Sequence, residues 1–346
     1  MEEKRLYPLT FCTIQDDYAW GSEEFKLADL GYRDNYIREG WLASNTLSEL
    51  MDMYMDRVVG DNVFEFFGRQ FPFQVKRLDV NGRMPLRVHP DDETAAQRYD
   101  SLGKEKFWYV LKAGSDARAA LGFVRDTDAG ELYDACVKSA GSVDGSAALE
   151  ALLNIQALHT GDCLHIAPGT VHAAAGDVTI IEVSESSPMD FCLSGWGVPV
   201  GDEEFDPALT LVDALDFIDY RKYVHDTSCG LSGASRAVRR LIDISQFTVS
   251  LAESADPLHI YSDKFNSCLA YYCLEGGASI RMDLDGIRME HSLKAGELVL
   301  VPADCPDFVL EPVLAGTRLL EITVGEQSGT DAYINPEADE KLPEDE

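Results

Sequence analysis

The sequence predicts an all-β protein with helical insertions, built as two β-barrels, and three observations carry that expectation. Short apolar or β-branched runs closed by Gly, Pro, Asn or Asp recur along most of the chain. Leu, Met and Ala at three-four spacing, the mark of an amphipathic helix, are confined to a few stretches between those runs. A weak internal repeat aligns two distant segments without gaps.

The expected strands are Phe73 to Leu78, Met84 to Val88, Phe107 to Leu111, Asp162 to Ile166 and Val178 to Val183. The expected helices are Asn45 to Met55, Gly130 to Lys138, Ser146 to Leu153 and Pro207 to Tyr220, with Gly141 to Gly145 as a loop between two of them. In the repeat, Gly161-Asp-Cys-Leu-His-Ile-Ala-Pro-Gly-Thr-Val-His172 lies over Gly296-Glu-Leu-Val-Leu-Val-Pro-Ala-Asp-Cys-Pro-Asp307. Each copy is a turn glycine, an acidic residue, an apolar strand and a Pro-containing turn, and the second ends in Asp307 where the first ends in His172. The domain reading is a first barrel over residues 1–200 that carries the site, a connecting helical segment over 201–237, a second barrel without metal ligands over 238–325 and an acidic tail over 326–346.

Composition bounds the partners. The chain has 346 residues, 45% of them hydrophobic, enough for a large core. Its 61 acidic against 29 basic residues give a net charge of -32, which repels nucleic acid and anionic membranes. No apolar run reaches the eighteen or so residues of a membrane span, and Met-Glu-Glu-Lys-Arg lacks the basic-then-apolar order of a signal peptide, so the expected location is cytoplasmic. The eight cysteines show no Cys-x-x-Cys spacing and read as reduced, buried thiols. The oligomeric state is left open.

Two stretches hold the candidate chemistry. His89 in Leu86-Arg-Val-His-Pro-Asp-Asp92 and His172 in the Pro-Gly turn motif are the pair that a small barrel uses to hold a metal on its inner wall. Further landmarks occur in order: Tyr18-Ala-Trp-Gly21, Glu39-Gly-Trp-Leu-Ala-Ser44, Phe71-Pro-Phe-Gln-Val-Lys76, Gly103-Lys104 with Trp108-Tyr109, and Glu182 with Ser186-Ser187. Together these motifs resemble the type I phosphomannose isomerases (mannose-6-phosphate isomerases) of the cupin superfamily, over nearly the whole chain. The resemblance implies two cupin barrels, a zinc ion as Lewis acid, and interconversion of an aldose phosphate with a ketose phosphate.

The same resemblance exposes departures. The family's metal is held by a Gln, two His and a Glu, and here His89 and His172 are kept whereas the Gln position is Arg87 and the Glu position is Lys106. Neither a guanidinium nor an ammonium offers a lone pair to a cation. Glu105 could supply the missing carboxylate only through a slip or bulge, because successive strand side chains face opposite ways. The family's catalytic arginine aligns with Cys192, and the Asp of its run with Gly195. Lys76 and Lys104 match lysines used near the substrate phosphate and are retained, while the serine that helps them aligns with Pro85.

Arg87 with His89, and Lys104 with Lys106, share faces of neighbouring strands, so four basic groups are expected to converge. The first expectation is a pocket without metal or other cofactor that binds a sugar phosphate or acidic sugar through Lys76, Arg87, Lys104 and Lys106, with the isomerase reaction lost or altered. The alternative is an active zinc-dependent mannose-6-phosphate isomerase, its metal on His89, His172 and a displaced Glu105 or a water. A third reading is a structural or regulatory partner of another sugar enzyme, for which the acidic tail is slender support. Bland readings stand beside these: Arg87 and Lys106 paired with Asp91 or Glu182 as barrel filling, Lys76 and Lys104 as surface residues, His165 as a satisfied core histidine rather than a replacement ligand, Trp20 and Trp41 as packing rather than a sugar platform, and Cys192 as an inert thiol. His159, His225, His259 and His291 read as ordinary.

Overall fold

The computed structural model describes residues 4–141, 146–197, 207–224 and 237–325. The expected acidic tail, the start of the connecting segment, most of the Gly141 to Gly145 loop and His225 lie outside these residues. Among the described residues no helix is long and apolar enough to cross a membrane.

The first barrel is a pair of sheets. Strands β1 (Ile14–Tyr18), β2 (Gly21–Leu27), β3 (Phe73–Val80), β10 (Val178–Glu185), β5 (Lys106–Ala113) and β8 (Cys163–Ile166) lie side by side in that order. Facing them in the barrel are β11 (Phe191–Ser194), β4 (Leu86–Val88), β9 (His172–Ala175), β6 (Arg118–Phe123) and β7 (Leu153–Ala157). Buried Leu86, Val88, Trp108, Val110, Leu164, Ile166 and Ile180 fill the space between. The second barrel repeats the plan with β12 (Val238–Asp243), β13 (Thr248–Glu253), β20 (Arg318–Thr323), β15 (Leu269–Glu275) and β18 (Leu298–Val301) in one sheet, and β14 (Leu258–Ile260), β19 (Phe308–Pro312), β16 (Gly277–Leu284) and β17 (Ile287–Lys294) in the other.

The internal repeat is therefore structural. Its two copies place β8 and β18 at the same edge, each paired antiparallel with the equivalent strand, β5 or β15. The registers set Trp108 opposite Glu182 in one barrel and Tyr271 opposite Glu321 in the other. Trp108 Nε1 donates to Glu182 Oε2 at 2.7 Å, and Tyr271 Oη to Glu321 Oε2 at 2.8 Å, so each barrel buries one glutamate under an aromatic donor. The repeat then diverges where chemistry is expected: Lys106 sits opposite Ile166, and the equivalent residue opposite Val301 is Leu269.

Packing groups the chain into two units that are not successive in sequence. Gln15–Phe25 and Val75–Thr227 form one, and Met1–Ile14, Lys26–Gln74 and Ser228–Glu346 form the other. The N-terminal segments are thus divided between the two units, which a linear division of the sequence does not capture.

Helices mostly follow the sequence reading. α1 (Leu47–Tyr54) starts at a capping box, in which Thr46 and Glu49 satisfy each other's backbone N–H. α2 (Asp56–Val59), α3 (Asp61–Phe67) and α4 (Asp92–Tyr99) were not expected. α5 (Ala129–Gly141) matches its expected core. α6 (Ser146–Glu150) stops before Leu153, which opens β7, and α7 (Pro207–Ala214) stops well before Tyr220. In both cases the apolar residues past the helix belong to a turn or a strand, and periodicity alone does not separate them.

Candidate functional site

Every residue singled out for the metal or substrate, except Glu105, meets at one end of the first barrel. The six-stranded sheet contributes Glu23 on β2, Lys76 on β3, Glu182 on β10 and Lys106 on β5. The facing sheet contributes Arg87 on β4 and His172 on β9, which are direct antiparallel partners. Three connecting residues complete the cluster: His89 just after β4, Lys104 just before β5 and Asp190 just before β11.

Glycine geometry holds the two histidine loops together. Gly169, in the turn before His172, has φ +79°, and a Cβ there would lie 2.8 Å from the Phe217 carbonyl oxygen. Its N–H donates to the His89 carbonyl at 2.8 Å, so each histidine is fixed through the other's loop. On the lysine side, a Cβ on Gly103 would meet the backbone of Asp91 and Asp92 at 2.5 Å, and Lys104 N–H donates to the Pro90 carbonyl at 3.1 Å.

The cations are not free. Lys76 Nζ lies 3.1 Å from Glu23 and 3.9 Å from Glu182, and Lys106 Nζ lies 3.2 Å from Glu182. One nitrogen of Arg87 bridges Glu23 at 3.1 Å and Asp190 at 2.9 Å. Lys104 Nζ donates to the Ser187 carbonyl at 2.7 Å. All three lysines are buried, which corrects the reading of Lys76 and Lys104 as surface residues. The reading of Arg87 and Lys106 as paired is right in kind, although Arg87 takes Glu23 and Asp190 rather than Asp91. Lys76, Arg87, Lys104 and Lys106 thus face Glu23, Glu182 and Asp190, a nearly balanced set.

Titration follows from that balance. Burial works against the ionised form of Glu182, yet Lys106, Lys76 and Lys104 hold its carboxyl down at about 2. Burial likewise opposes ionisation of Asp190, and Arg87 and Lys106 overcome it to keep the carboxyl well below its ordinary value. Among the described residues no carboxylate forms an ion pair with Lys104, whose Nζ meets the Ser187 carbonyl. Burial, then Lys76 and Lys106, pull its ammonium down to about 7.

His89 and His172 stand with ring centroids 4.8 Å apart. Nδ1 of His89 meets the Met189 carbonyl at 2.9 Å, and Nδ1 of His172 meets the Thr170 carbonyl at 3.0 Å. A carbonyl only accepts, so both rings carry their proton on Nδ1 and turn a lone pair out on Nε2. Both Nε2 atoms are buried without a hydrogen-bond partner. Burial and the nearby Lys106 charge push His172 down to about 3 and His89 well below its usual value, so both are neutral.

Two imidazole lone pairs side by side are half of a zinc shell. The resemblance assigns the other two ligand positions to Arg87 and Lys106, a guanidinium and an ammonium, and no three His, Cys, Asp or Glu side chains among the described residues converge as metal ligands. Glu105 does not slip inward. It faces the opposite side of β5, where its Oε1 lies 2.5 Å from His165 Nε2. His165 is accordingly satisfied by that carboxylate and is no replacement ligand. Of the four side chains, His89 and His172 carry lone pairs that a cation could take, whereas the guanidinium of Arg87 and the ammonium of Lys106 offer none.

Sequence reasoning missed Glu23 and Asp190. The one signal for Glu23 was its place two residues before Phe25 on a buried strand face. Cys192 sits directly opposite Arg87 on β11, yet burial dominates and pushes its thiol up to about 11. Trp20 packs, with its ring stacked on Tyr18 at 5.0 Å, whereas Trp41 is 42% exposed.

No family model matches the chain. Sequence relatives and solved structures do. The chain is similar to mannose-6-phosphate isomerases. A Bacillus subtilis protein described as a probable mannose-6-phosphate isomerase is 29% identical over 44% of this chain and 44% of its own length. The mannose-6-phosphate isomerase of Streptococcus mutans is 28% identical over 54% of this chain and 57% of its own. The matched part thus spans about half the length of these relatives. The fold extends further. The mannose 6-phosphate isomerase structure from Bacillus subtilis superposes with a TM-score of 0.75 at 18% identity, covering 92% of this chain and 100% of that one. A phosphomannose isomerase variant from Salmonella typhimurium gives 0.69 at 16%, covering 93% and 100%. The two-barrel cupin fold is shared with both.

Proposed function

We propose that this chain is a mannose-6-phosphate-isomerase-like protein of carbohydrate metabolism whose first barrel takes a phosphorylated or otherwise acidic sugar, with internal ion pairs in place of the metal. One observation supports the reading: Arg87 and Lys106, at the positions that the resemblance assigns to two metal ligands, are held by Glu23, Asp190 and Glu182. A fixed ammonium beside two neutral imidazoles takes over the electrostatic place of a divalent cation without its open coordination positions. The metal-dependent isomerase reaction is then lost or altered.

Anion binding rests on the odd charge in the cluster. When Lys104 carries a proton the basic groups outnumber the acidic ones, and an arriving phosphate or carboxylate favours that state. Arg87 and Lys76 reach such an anion only by sharing with or releasing Glu23 and Asp190, so binding exchanges one buried pairing for another.

The second reading is an active zinc-dependent mannose-6-phosphate isomerase. The two unpaired Nε2 lone pairs favour it. It requires Lys106 to move away from the histidines and a carboxylate or water to replace it.

One experiment separates these. Purified protein is assayed for turnover of mannose 6-phosphate with and without added zinc, and its thermal midpoint is followed with the same sugar phosphate. Stabilisation without turnover supports the proposal. Zinc-dependent turnover supports the second reading and overturns the first, and a protein that responds to neither leaves only a structural or regulatory partner of another sugar enzyme.

A further inference from the structure

A separate cleft of ≈ 360 Å³ lies in the unit that holds the second barrel. Its floor is one face of the β16–β17 hairpin. Ile280, Met282 and Leu284 alternate along β16, and the register sets His291 opposite Ile280 and Met289 opposite Met282. Its wall is the turn Glu39, Gly40 and Trp41, backed by Tyr7.

This wall is rigid. Gly40 has φ +85°, and a Cβ there would lie 2.1 Å from the Tyr7 hydroxyl. That hydroxyl donates to the Glu39 carbonyl at 2.9 Å and accepts from Leu42 N–H at 3.0 Å, pinning the turn on both sides of Trp41. The indole is braced by Tyr7 at 5.9 Å and edge-on by Tyr54 at 6.0 Å, yet it remains 42% exposed. A large aromatic held still in an apolar cleft is a platform already paid for in side-chain entropy.

The charged side chains in the lining are the carboxylates of Glu39 and Glu290, which accept hydrogen bonds. Glu39 is a carboxylate steadied by Thr10 Oγ1 at 3.0 Å, and His291 leaves its Nε2 buried without a hydrogen-bond partner. No Lys or Arg is among the described residues lining the cleft, although Lys4 Nζ reaches over the Trp41 ring at 5.2 Å. An anionic ligand finds no dedicated cation here. Acceptors call for donors, and an apolar stripe with an aromatic face calls for a flat array of C–H groups. An uncharged pyranoside offers both, with hydroxyl donors around its edge and axial C–H bonds on its face.

We propose that this cleft is a second carbohydrate site, for a neutral pyranoside stacked on Trp41 with its hydroxyls directed to Glu39 and His291. It is chemically distinct from the charged cluster of the first barrel and stands whether or not the proposal for that cluster does.

Saturation-transfer NMR on the full chain with methyl α-D-mannopyranoside and methyl β-D-glucopyranoside tests it. We expect transfer to the ring C–H protons of at least one of the two, lost in Trp41→Ala and reduced several-fold in His291→Leu. Should Trp41→Ala misfold by circular dichroism, His291→Leu carries the test. The proposal is overturned by no transfer from the wild type to either glycoside, by transfer that survives both cleft substitutions, or by displacement of the glycoside by equimolar tetramethylammonium or benzyl alcohol, which would make the cleft a cation or aromatic site.

Discussion

Lys106 Nζ lies 3.2 Å from Glu182 Oε2, and both side chains are only 2% exposed. The two reach diagonally between adjacent strands, since the register pairs Lys106 with Ser184 and Glu182 with Trp108. Glu182 is thereby held by a lysine, by the Trp108 indole and more loosely by Lys76, and the ammonium of Lys106 bears on both site histidines. A positive charge has been built into the barrel wall.

Removing one end of this pair should be costlier than removing both. Lys106→Met leaves a buried carboxylate short of its main partner and is expected to lose about 3–5 kcal/mol, whereas adding Glu182→Gln should recover much of that. Urea unfolding of the two single variants and the double variant gives the coupling. Additive losses would mean that the pair is energetically idle.

Acid should unfold the protein in two overlapping stages. His172 falls from 6.5 to about 3 on folding, so the unfolded chain takes up its proton first and stability drops as pH falls from about 6.5 towards 3. Glu182 falls from 4.5 to about 2, so the stability it supplies is full above pH 4.5 and is lost as pH drops towards 2. Both terms have the same sign. His172→Gln should flatten the upper part of the profile in denaturant titrations at stepped pH, and an unchanged slope there would refute the burial of a neutral imidazole.

Lys104 should couple anion binding to proton uptake. Its ammonium is pulled down to about 7 by burial and by Lys76 and Lys106, and a bound phosphate favours the charged form. Mannose 6-phosphate binding should therefore weaken as pH rises past 7 and take up a proton near pH 8. Calorimetry in two buffers of different ionisation enthalpy reads that uptake directly. Lys104→Met should abolish the buffer dependence, and a wild-type protein without any would remove Lys104 from the site.

Thiol chemistry separates the cysteines. Cys192, raised to about 11, should resist alkylation in the folded state while exposed Cys12 reacts. Peptide mapping after iodoacetamide treatment shows which was modified. Early labelling of Cys192 would mean that Arg87 activates it after all.

Much of the fold was legible because strand runs and turn glycines are local. Phe73 to Leu78 and Val178 to Val183 became the cores of β3 and β10, and the gapless repeat placed β8 on β18. α4 was illegible for a physical reason. Only Ala95 of its residues is buried, so it carries no apolar stripe, and its signal was the Asp91 cap accepting Thr94 N–H at 2.8 Å. The site divided the same way. Motifs located its bases, but the acids that neutralise them come from remote positions: Glu23 is 53 residues from Lys76 and 64 from Arg87, and Asp190 is 103 from Arg87. Pairing across such separations is set by sheet topology, which period and spacing do not encode.

The central claim is that Arg87 and Lys106 fill the place of a metal, and metal content tests it most directly. Untagged protein purified without chelator is analysed by elemental mass spectrometry beside the double variant Arg87→Gln, Lys106→Glu, which restores a donor at each position. The account predicts a wild type without stoichiometric zinc and a double variant that acquires it. One zinc per chain in the wild type would contradict it and restore the active isomerase as the leading reading.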